Sequence, residues 1–466
     1  MNGQENNFEQ GYRNLSFWLD SVPGSLVPRP ALDGDIEVDI AIVGGGYTGL
    51  WTAWYLKQHD PDLNIAILEA EIAGFGASGR NGGWCAAYLS GIEHWFDDPN
   101  SRDGAVRLQQ EMFDAVREVG RVAQQTSIDC HFERAGALEV AVLPAQLKRL
   151  HEHLEYLHRQ GFSDKDYRWL SAAETLSMLN IDQSLGGVLM SHCAAIHPAR
   201  LARGLAEAVE KRQVRLCEQT PVLEITGRRL RTPHGYVTAQ TIVLATEGYT
   251  NTLPGQQRRL IPVHSMMVVT EPLDTEQIET IGSPGRCTFA NLDRIVTYGQ
   301  LTKDKRIAFG CRGSYHYGSK IHHFDPFEAE FNLVRKTLLR FFPVLEGIHF
   351  THAWGCAMGV SRSLRPSVNY NPGTGLAWAG GYFGNGVGAT NLAGRIMADL
   401  VLGRNTERVD TPWVNPPDSH DKWEPEPVRW LGIHTRRHLM QLADKAEYTG
   451  SFFAPVISKT LNTLFP

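Results

Sequence analysis

The sequence is poor in cysteine, lacks a surplus of either charge, and contains no long apolar run free of glycine. Its seven cysteines (Cys85, Cys130, Cys193, Cys217, Cys287, Cys311 and Cys356) are odd in number and scattered, with no CxxC pair. That spacing excludes a zinc knuckle, argues against a disulfide framework and fits a reducing compartment. The 45 basic and 51 acidic side chains leave a formal net charge of -6, which gives no electrostatic footprint for nucleic acid or an anionic membrane. Residues 1–21 hold no basic segment leading into an apolar run and do not read as a signal peptide. The uncharged stretches 40–56 and 366–394 are crowded with glycine, which suits backbone recognition better than a lipid-facing helix. His151-Glu152-His153 lacks the i, i+4 histidine spacing of a metal-binding helix, and His322-His323 has no partners in view. The expectation is a soluble, cytoplasmic chain without nucleic-acid, membrane or metal partners, its oligomeric state open.

Glycine is the opposite case. There are 45 in 466 residues, well above the ~7% of average usage. Nine fall within residues 44–83 and nine within 373–403. Glycine gathers where a backbone takes positive φ or approaches a ligand closely, so these two segments are the candidate cofactor site.

The first segment reads as β-α-β. The run Ile36-Glu-Val-Asp-Ile-Ala-Ile-Val43 suits a buried parallel strand. It feeds Gly44-Gly45-Gly46-Tyr47-Thr48-Gly49, a GxGxxG turn whose N–H groups and following helix, expected over 50–58, can meet a pyrophosphate. A second strand over 64–68 ends at Glu69, 20 residues beyond Gly49, where a carboxylate would take the ribose hydroxyls of an adenosine. Together these elements predict a dinucleotide site without choosing NAD or FAD. The loop from Ala70 to Trp84, containing Gly76-Ala77-Ser78-Gly79-Arg80-Asn81-Gly82-Gly83, replaces the next βα unit of a nicotinamide dehydrogenase. It offers more amides and a Ser78 hydroxyl.

These residues closely resemble the D-amino-acid-oxidase-like FAD oxidoreductases, which include glycine, sarcosine and gamma-glutamylputrescine oxidases. The SGRNGG loop (78–83) looks most like the last branch. The likeness continues through Ala195-Ile-His-Pro-Ala-Arg-Leu-Ala202, Thr220-Pro221-Val222, the strand 241–246 with Ala245, Thr246 and Gly248, and Trp354-Gly355. It ends at Gly380-Gly381-Tyr-Phe-Gly384-Asn385-Gly386-Val387-Gly388, with Asn391 to Arg395 following. The resemblance implies bound FAD, with Pro221 and Val222 on the adenine side and the helix opened by residues 380–388 at the flavin's pyrimidine edge. It also implies oxidation of an amine or amino acid by hydride transfer from the α-carbon to flavin N5. The resulting imine hydrolyses, and O2 is the expected acceptor, giving H2O2. A gamma-glutamylated polyamine is the expected kind of substrate.

The implied substrate residues are Trp84 (with Tyr88) as an aromatic wall, Arg312 as a carboxylate grip, Tyr315 beside it, and His264 on an inner strand. Arg362 and Arg365 are weaker candidates for the grip. Cys356 stands near where sarcosine oxidases attach flavin through a thioether, which raises covalent FAD as an expectation. The lysine that aids oxygen reduction in those enzymes has no counterpart on the strand 306–310, so a dehydrogenase with another acceptor stays open. So do a flavin monooxygenase and a non-catalytic flavoprotein.

The expected fold is α/β with an α+β substrate part: a Rossmann-like FAD domain of the glutathione-reductase/p-hydroxybenzoate-hydroxylase type and an antiparallel-sheet substrate domain. The expected division is an N-terminal extension (1–29), a discontinuous FAD domain (30–95, 192–262, 350–405), a substrate domain (96–191, 263–349) and a C-terminal helical cap (406–466). Helices are expected over 104–125, 144–160 and 324–342, and strands over 261–272, 294–298 and 306–310.

Overall fold

A computed structural model describes residues 2–325 and 329–464. The chain divides into two compact units. The first comprises 1–132, 196–263 and 356–423, and the second 133–195, 264–355 and 424–466.

The first unit is built on a sheet in the order Ser367–Asn371, Leu376–Gly380, Gly235–Leu244, Ile36–Val43, Ile65–Leu68, Arg215–Cys217. Its centre is parallel: Ile36–Val43 runs alongside both Gly235–Leu244 and Ile65–Leu68. The β-branched pattern explains this, since Ile40, Ala41, Ile42 and Val43 are all buried, as a strand covered on both faces requires. Arg229–Thr232 and Glu224–Thr226 add an antiparallel meander to Gly235–Leu244.

The helix after the glycine turn spans Tyr47–His59, starting earlier than its apolar residues suggest. Gly49 lies inside the first turn because a Cβ there would sit 2.1 Å from the Gly44 carbonyl oxygen and 3.0 Å from Ile42 Cγ2. Only glycine lets the helix lie so close to the strand it leaves. The helix Gly386–Val401 crosses the same helix with backbones nearly touching, since a Cβ at Gly394 would fall 2.7 Å from Trp51 Cβ.

The helix Arg102–Gln125 buries Met112, Val116, Val119 and Val122, the face its spacing predicts. It belongs to the first unit, although its segment is expected in the substrate domain. Polar contacts explain the placement: Glu111 pairs with Arg395 at 3.0 Å, and the Tyr55 hydroxyl donates to Glu118 at 3.0 Å.

The second unit carries a sheet containing Ile307–Ser314, Thr297–Leu301, Thr288–Asn291, Ala137–Ala141, Gly186–Met190 and Tyr167–Ser171. The strands Ile261–Thr270 and Phe350–Val360 join its edge and lead the chain between the units. From Ile261–Thr270 through Ile307–Ser314 and Thr297–Leu301 to Thr288–Asn291 the pairs are antiparallel, as they are from Ala137–Ala141 to Tyr167–Ser171, while Thr288–Asn291 and Ala137–Ala141 run parallel. Phe289, Phe309, Phe331, Phe341 and Phe342 fill the core on this sheet. At about 2 kcal/mol or more for each large apolar side chain buried, that cluster accounts for the cohesion of the unit.

The strand expected at 294–298 is observed at Thr297–Leu301. The reason is local: the backbone N–H groups of Arg294 and Ile295 donate to the Asp444 carboxylate instead of to a neighbouring strand. The helix expected over 324–342 is seen as Glu330–Phe341; residues 326–328 lie outside the described residues.

The C-terminal segment forms the helices Val428–Tyr448 and Ala454–Leu464. Arg294 joins Asp444, Glu447 and Ser458, while Arg149 also pairs with Glu447. The part up to Trp423 belongs to the first unit, so the segment expected as one cap is divided. No described helix is long and apolar enough to cross a membrane.

Candidate functional site

The first unit gathers both glycine-rich segments at the carboxyl ends of its parallel strands. Gly44 has φ +109, and a Cβ there would stand 2.6 Å from the Ala245 carbonyl oxygen. Beyond it, Gly45 N–H donates to Glu69 Oε2 at 2.6 Å, and Glu71 N–H donates to Oε1 at 3.0 Å. Burial pushes the Glu69 carboxyl up to about 7, against the pull of those two amides. The N–H groups of the first helical turn have no partner within their own helix. That of Tyr47 is taken by Ser78 Oγ at 2.8 Å, so the 76–83 loop caps the glycine turn from outside.

That loop is less open than its composition suggests. Ala77–Arg80 is a helical turn, and the Asn81 side chain donates to the Ala77 and Ser78 carbonyls and accepts from Gly83 N–H. Asn81 thus holds the loop's own shape, while its carbonyl accepts from Trp18 Nε1. Gly79 is required because a Cβ would lie 2.2 Å from the Gly74 carbonyl oxygen. Arg80 is buried and donates to the Tyr249 hydroxyl at 3.0 Å, with its guanidinium 4.9 Å from the Phe75 ring centre. Gly76 and Gly82 complete the loop, and half-buried Trp84 opens the strand Trp84–Ala86.

On the side of Glu69, Thr220 N–H donates to the Glu69 carbonyl and Gln219 N–H to that of Glu71. These bonds hold Ala70, Pro221 and Val222 in one neighbourhood. Behind them stands a carboxylate that sequence reasoning missed. Glu218 is fully buried and accepts from Ala73 N–H, Arg29 N–H and the Arg29 and Arg203 guanidinia. Its only signal in the sequence is an acid closing a strand just before Thr220-Pro221.

The second glycine segment meets the first through side chains: the hydroxyls of Thr48 and Tyr382 lie 3.2 Å apart. Gly381 and Gly384 take φ +81 and +93, and Asn385 precedes the helix Gly386–Val401, its side chain donating to Ser90 Oγ at 3.1 Å instead of capping the helix. Val387 is buried in its first turn. The N–H groups of Gly381 and Tyr382 face a second missed acid, Glu247, which lies between Thr246 and Gly248. Cys356 is buried nearby, and burial pushes its thiol up to about 11, so it stands as a neutral thiol at neutral pH.

The second unit holds three of the expected substrate residues. His264 is buried; its Nε2 accepts from His322 N–H at 3.1 Å, and its ring meets those of His316 and Phe324 edge-on. Arg312 is half-buried on Ile307–Ser314. The Tyr315 hydroxyl donates to Glu426 at 2.5 Å and accepts from Arg429 Nε at 2.6 Å, which fastens it to the C-terminal helix. Of the weaker candidates, Arg365 pairs with Asp418, and Arg362 lies 5.5 Å from the Trp423 ring centre. Among the described residues, no group of three or more His, Cys, Asp or Glu side chains is placed to hold a metal.

The family of FAD dependent oxidoreductases (DAO) matches residues 39–400. The chain belongs to this family. Among curated relatives, gamma-glutamylputrescine oxidoreductase of Escherichia coli is 32% identical over 402 residues, covering 85% of this chain and 91% of the relative. A probable oxidoreductase, OrdL, of Rhizobium meliloti is 30% identical over 399 residues, covering 84% and 89%. Among solved structures, glycine oxidase from Geobacillus kaustophilus superposes with a TM-score of 0.66 at 20% identity, covering 79% of this chain and 96% of that one. L-proline dehydrogenase from P. horikoshii does so with a TM-score of 0.66 at 17% identity, covering 82% and 98%.

The protein is therefore an FAD-dependent oxidoreductase with the α/β fold its sequence implies. The residues present fit that cofactor. Gly44, Gly45, Gly46 and Gly49 bring no Cβ to the turn, and Glu69 would supply an acceptor for ribose hydroxyls. The Gly386 helix opens onto the same region with the partial positive charge of its N-terminus. When bound, FAD supplies an electron-pair sink that no protein side chain offers.

Proposed function

We propose that the enzyme oxidises a small amine or amino acid at the carbon bearing nitrogen, with a gamma-glutamylated polyamine or similar amine as substrate and O2 as acceptor, releasing H2O2. FAD held by the Gly44–Gly49 turn, Glu69 and the Gly386–Val401 helix would supply the hydride acceptor for the α-carbon, leaving an imine for water to hydrolyse. The observation that carries this reading is the likeness to gamma-glutamylputrescine oxidoreductase over most of both chains. The seven free, buried cysteines support a cytoplasmic location.

In this chemistry the chain orients and excludes water; it needs no nucleophile. The Gly386–Val401 helix brings unpaired N–H groups and partial positive charge toward developing negative charge on the cofactor. Arg312 grips a substrate carboxylate, since a guanidinium presents paired donors to both oxygens. Trp84 serves as an aromatic wall, and His264 orders the inner strand. The Tyr315 hydroxyl is engaged by Glu426 and Arg429, so it acts as an anchor for that ring and not as an acid or base.

The test is anaerobic mixing of the holoenzyme with gamma-glutamylated polyamines, free polyamines, glycine, sarcosine and D-amino acids. Bleaching of the flavin by a gamma-glutamylated polyamine, then rapid recovery with H2O2 on admitting air, is the expected result. Bleaching only by NADPH would favour a monooxygenase, and bleaching by none of these would remove the catalytic reading. Recovery with an artificial acceptor but not with air would make the enzyme a dehydrogenase.

A further inference from the structure

Glu247 is a half-buried acid, its carboxyl turned inward, for which FAD binding by itself gives no role. It follows Thr246 at the end of the Gly235–Leu244 strand and takes φ 42, a left-handed conformation that non-glycine residues other than Asn and Asp seldom adopt. Such an outlier persists only where surrounding bonds enforce it. Here they do: its Oε2 accepts Gly359 N–H, its Oε1 accepts Tyr382 N–H at 2.9 Å, and Gly381 N–H also faces the carboxyl.

Gly359 must be glycine for this to happen, because a Cβ there would stand 2.0 Å from Glu247 Oε2. Three amides converging on both oxygens are the donor set of an ionised carboxylate. Burial opposes them and holds the carboxyl up at about 7. The titratable groups facing this cluster are the Cys356 thiol and the Tyr249 and Tyr382 hydroxyls, all raised by burial, and the cation Arg80, which donates to Tyr249.

We propose that Glu247 is a positioning residue for the flavin end of the cofactor site. It ties the strand Phe350–Val360 to the turn at 380–382 and so fixes where the helix Gly386–Val401 begins. The amides of Gly381 and Tyr382 belong to Glu247 and that of Asn385 to the Tyr382 carbonyl, which leaves Gly386 and Val387 to present the helix N-terminus to the cofactor. The inference rests on FAD use alone and is independent of the substrate.

Glu247→Gln tests it. Glutamine offers one acceptor oxygen and one NH2, so at least one amide loses its partner and meets a donor in its place. The protein is stripped of FAD and reconstituted, with affinity read by flavin fluorescence, the bound flavin by its visible circular dichroism, and the cofactor-free fold by thermal melting. The expected result is FAD affinity weakened about tenfold and altered visible dichroism. The cofactor-free melting temperature at pH 8 should be no lower than wild type, because the variant buries no charge.

Glu247→Asp, which keeps the charge on a shorter arm, should recover part of the affinity; it also carries the test if the glutamine variant fails to fold. FAD affinity within about twofold of wild type with superimposable dichroism in both variants overturns the proposal. So does a melting temperature that falls in step with affinity, which would make Glu247 a general support of the fold.

Discussion

Glu69→Gln separates two consequences of one carboxyl on a half-buried residue. In the folded protein Glu69 titrates at about 7, against its ordinary 4.5, because burial outweighs the amides of Gly45 and Glu71. A carboxyl raised in this way binds more protons folded than unfolded. Its favourable contribution is therefore whole below pH 4.5 and is lost as pH rises through 7. The size of the loss, from a difference of two to three units, is about 3 kcal/mol above pH 8. Cofactor-free protein should thus grow less resistant to urea from about pH 5 to pH 8. Glu247 and Asp293, raised to about 7 and about 6, contribute losses of the same sign and buried His197, whose pKa is lowered, a gain, so Glu69→Gln should flatten the slope without abolishing it. FAD binding moves the opposite way. Ribose hydroxyls donate to the ionised form, so affinity should rise as pH climbs through 7, and the glutamine variant should bind about 10- to 100-fold more weakly at pH 8. Urea titrations of cofactor-free wild type and variant across this range, beside FAD titrations of both, make the measurement. An unchanged stability slope together with unchanged FAD affinity at pH 8 would refute the reasoning.

Gly49→Ala should cost FAD affinity about tenfold or more, because its Cβ needs over 1 Å of helix displacement to clear the Gly44 carbonyl and overpacking of this kind costs about 1–3 kcal/mol; isothermal titration of FAD into cofactor-free protein checks it. Arg294→Ala should destabilise the second unit by about 1–3 kcal/mol, since it removes charged hydrogen bonds and leaves Asp444 only its backbone donors and Glu447 only Arg149, and limited proteolysis of the C-terminal helices should accelerate in parallel. If Cys356 carries FAD covalently, acid precipitation leaves the yellow colour in the pellet; colour released wholly into the supernatant identifies dissociable FAD.

How much of this was legible in the sequence follows from how far apart the interacting residues lie. The strand, glycine turn, helix and Glu69 sit within 34 residues (36–69), and their packing is local, so pattern alone anticipates the β-α-β unit that the structure shows. The length of the turn's helix was misread because Gly49 counts as a loop residue by propensity, while its actual role is close packing against Ile42 and Gly44. The shape of the 76–83 loop was not legible: Asn81 closes it through bonds within the loop, where composition suggested donors left for a ligand. The candidates in the second unit fared less evenly, because a residue such as Tyr315 has its partners at 426 and 429, more than a hundred residues away. The same distance hid the shift of the strand near 294, which Asp444 draws out of the ladder. Glu218 and Glu247 were hardest to see. An isolated acid reads as solvated by default, and what makes each of them structural is a ring of donors drawn from distant segments. Glycine shares that dependence on distant neighbours, yet it is visible beforehand because its enrichment is statistical. A single buried carboxylate leaves no such trace, so in a glycine-built cofactor site the polar supports behind the loops are the part that only a structure supplies.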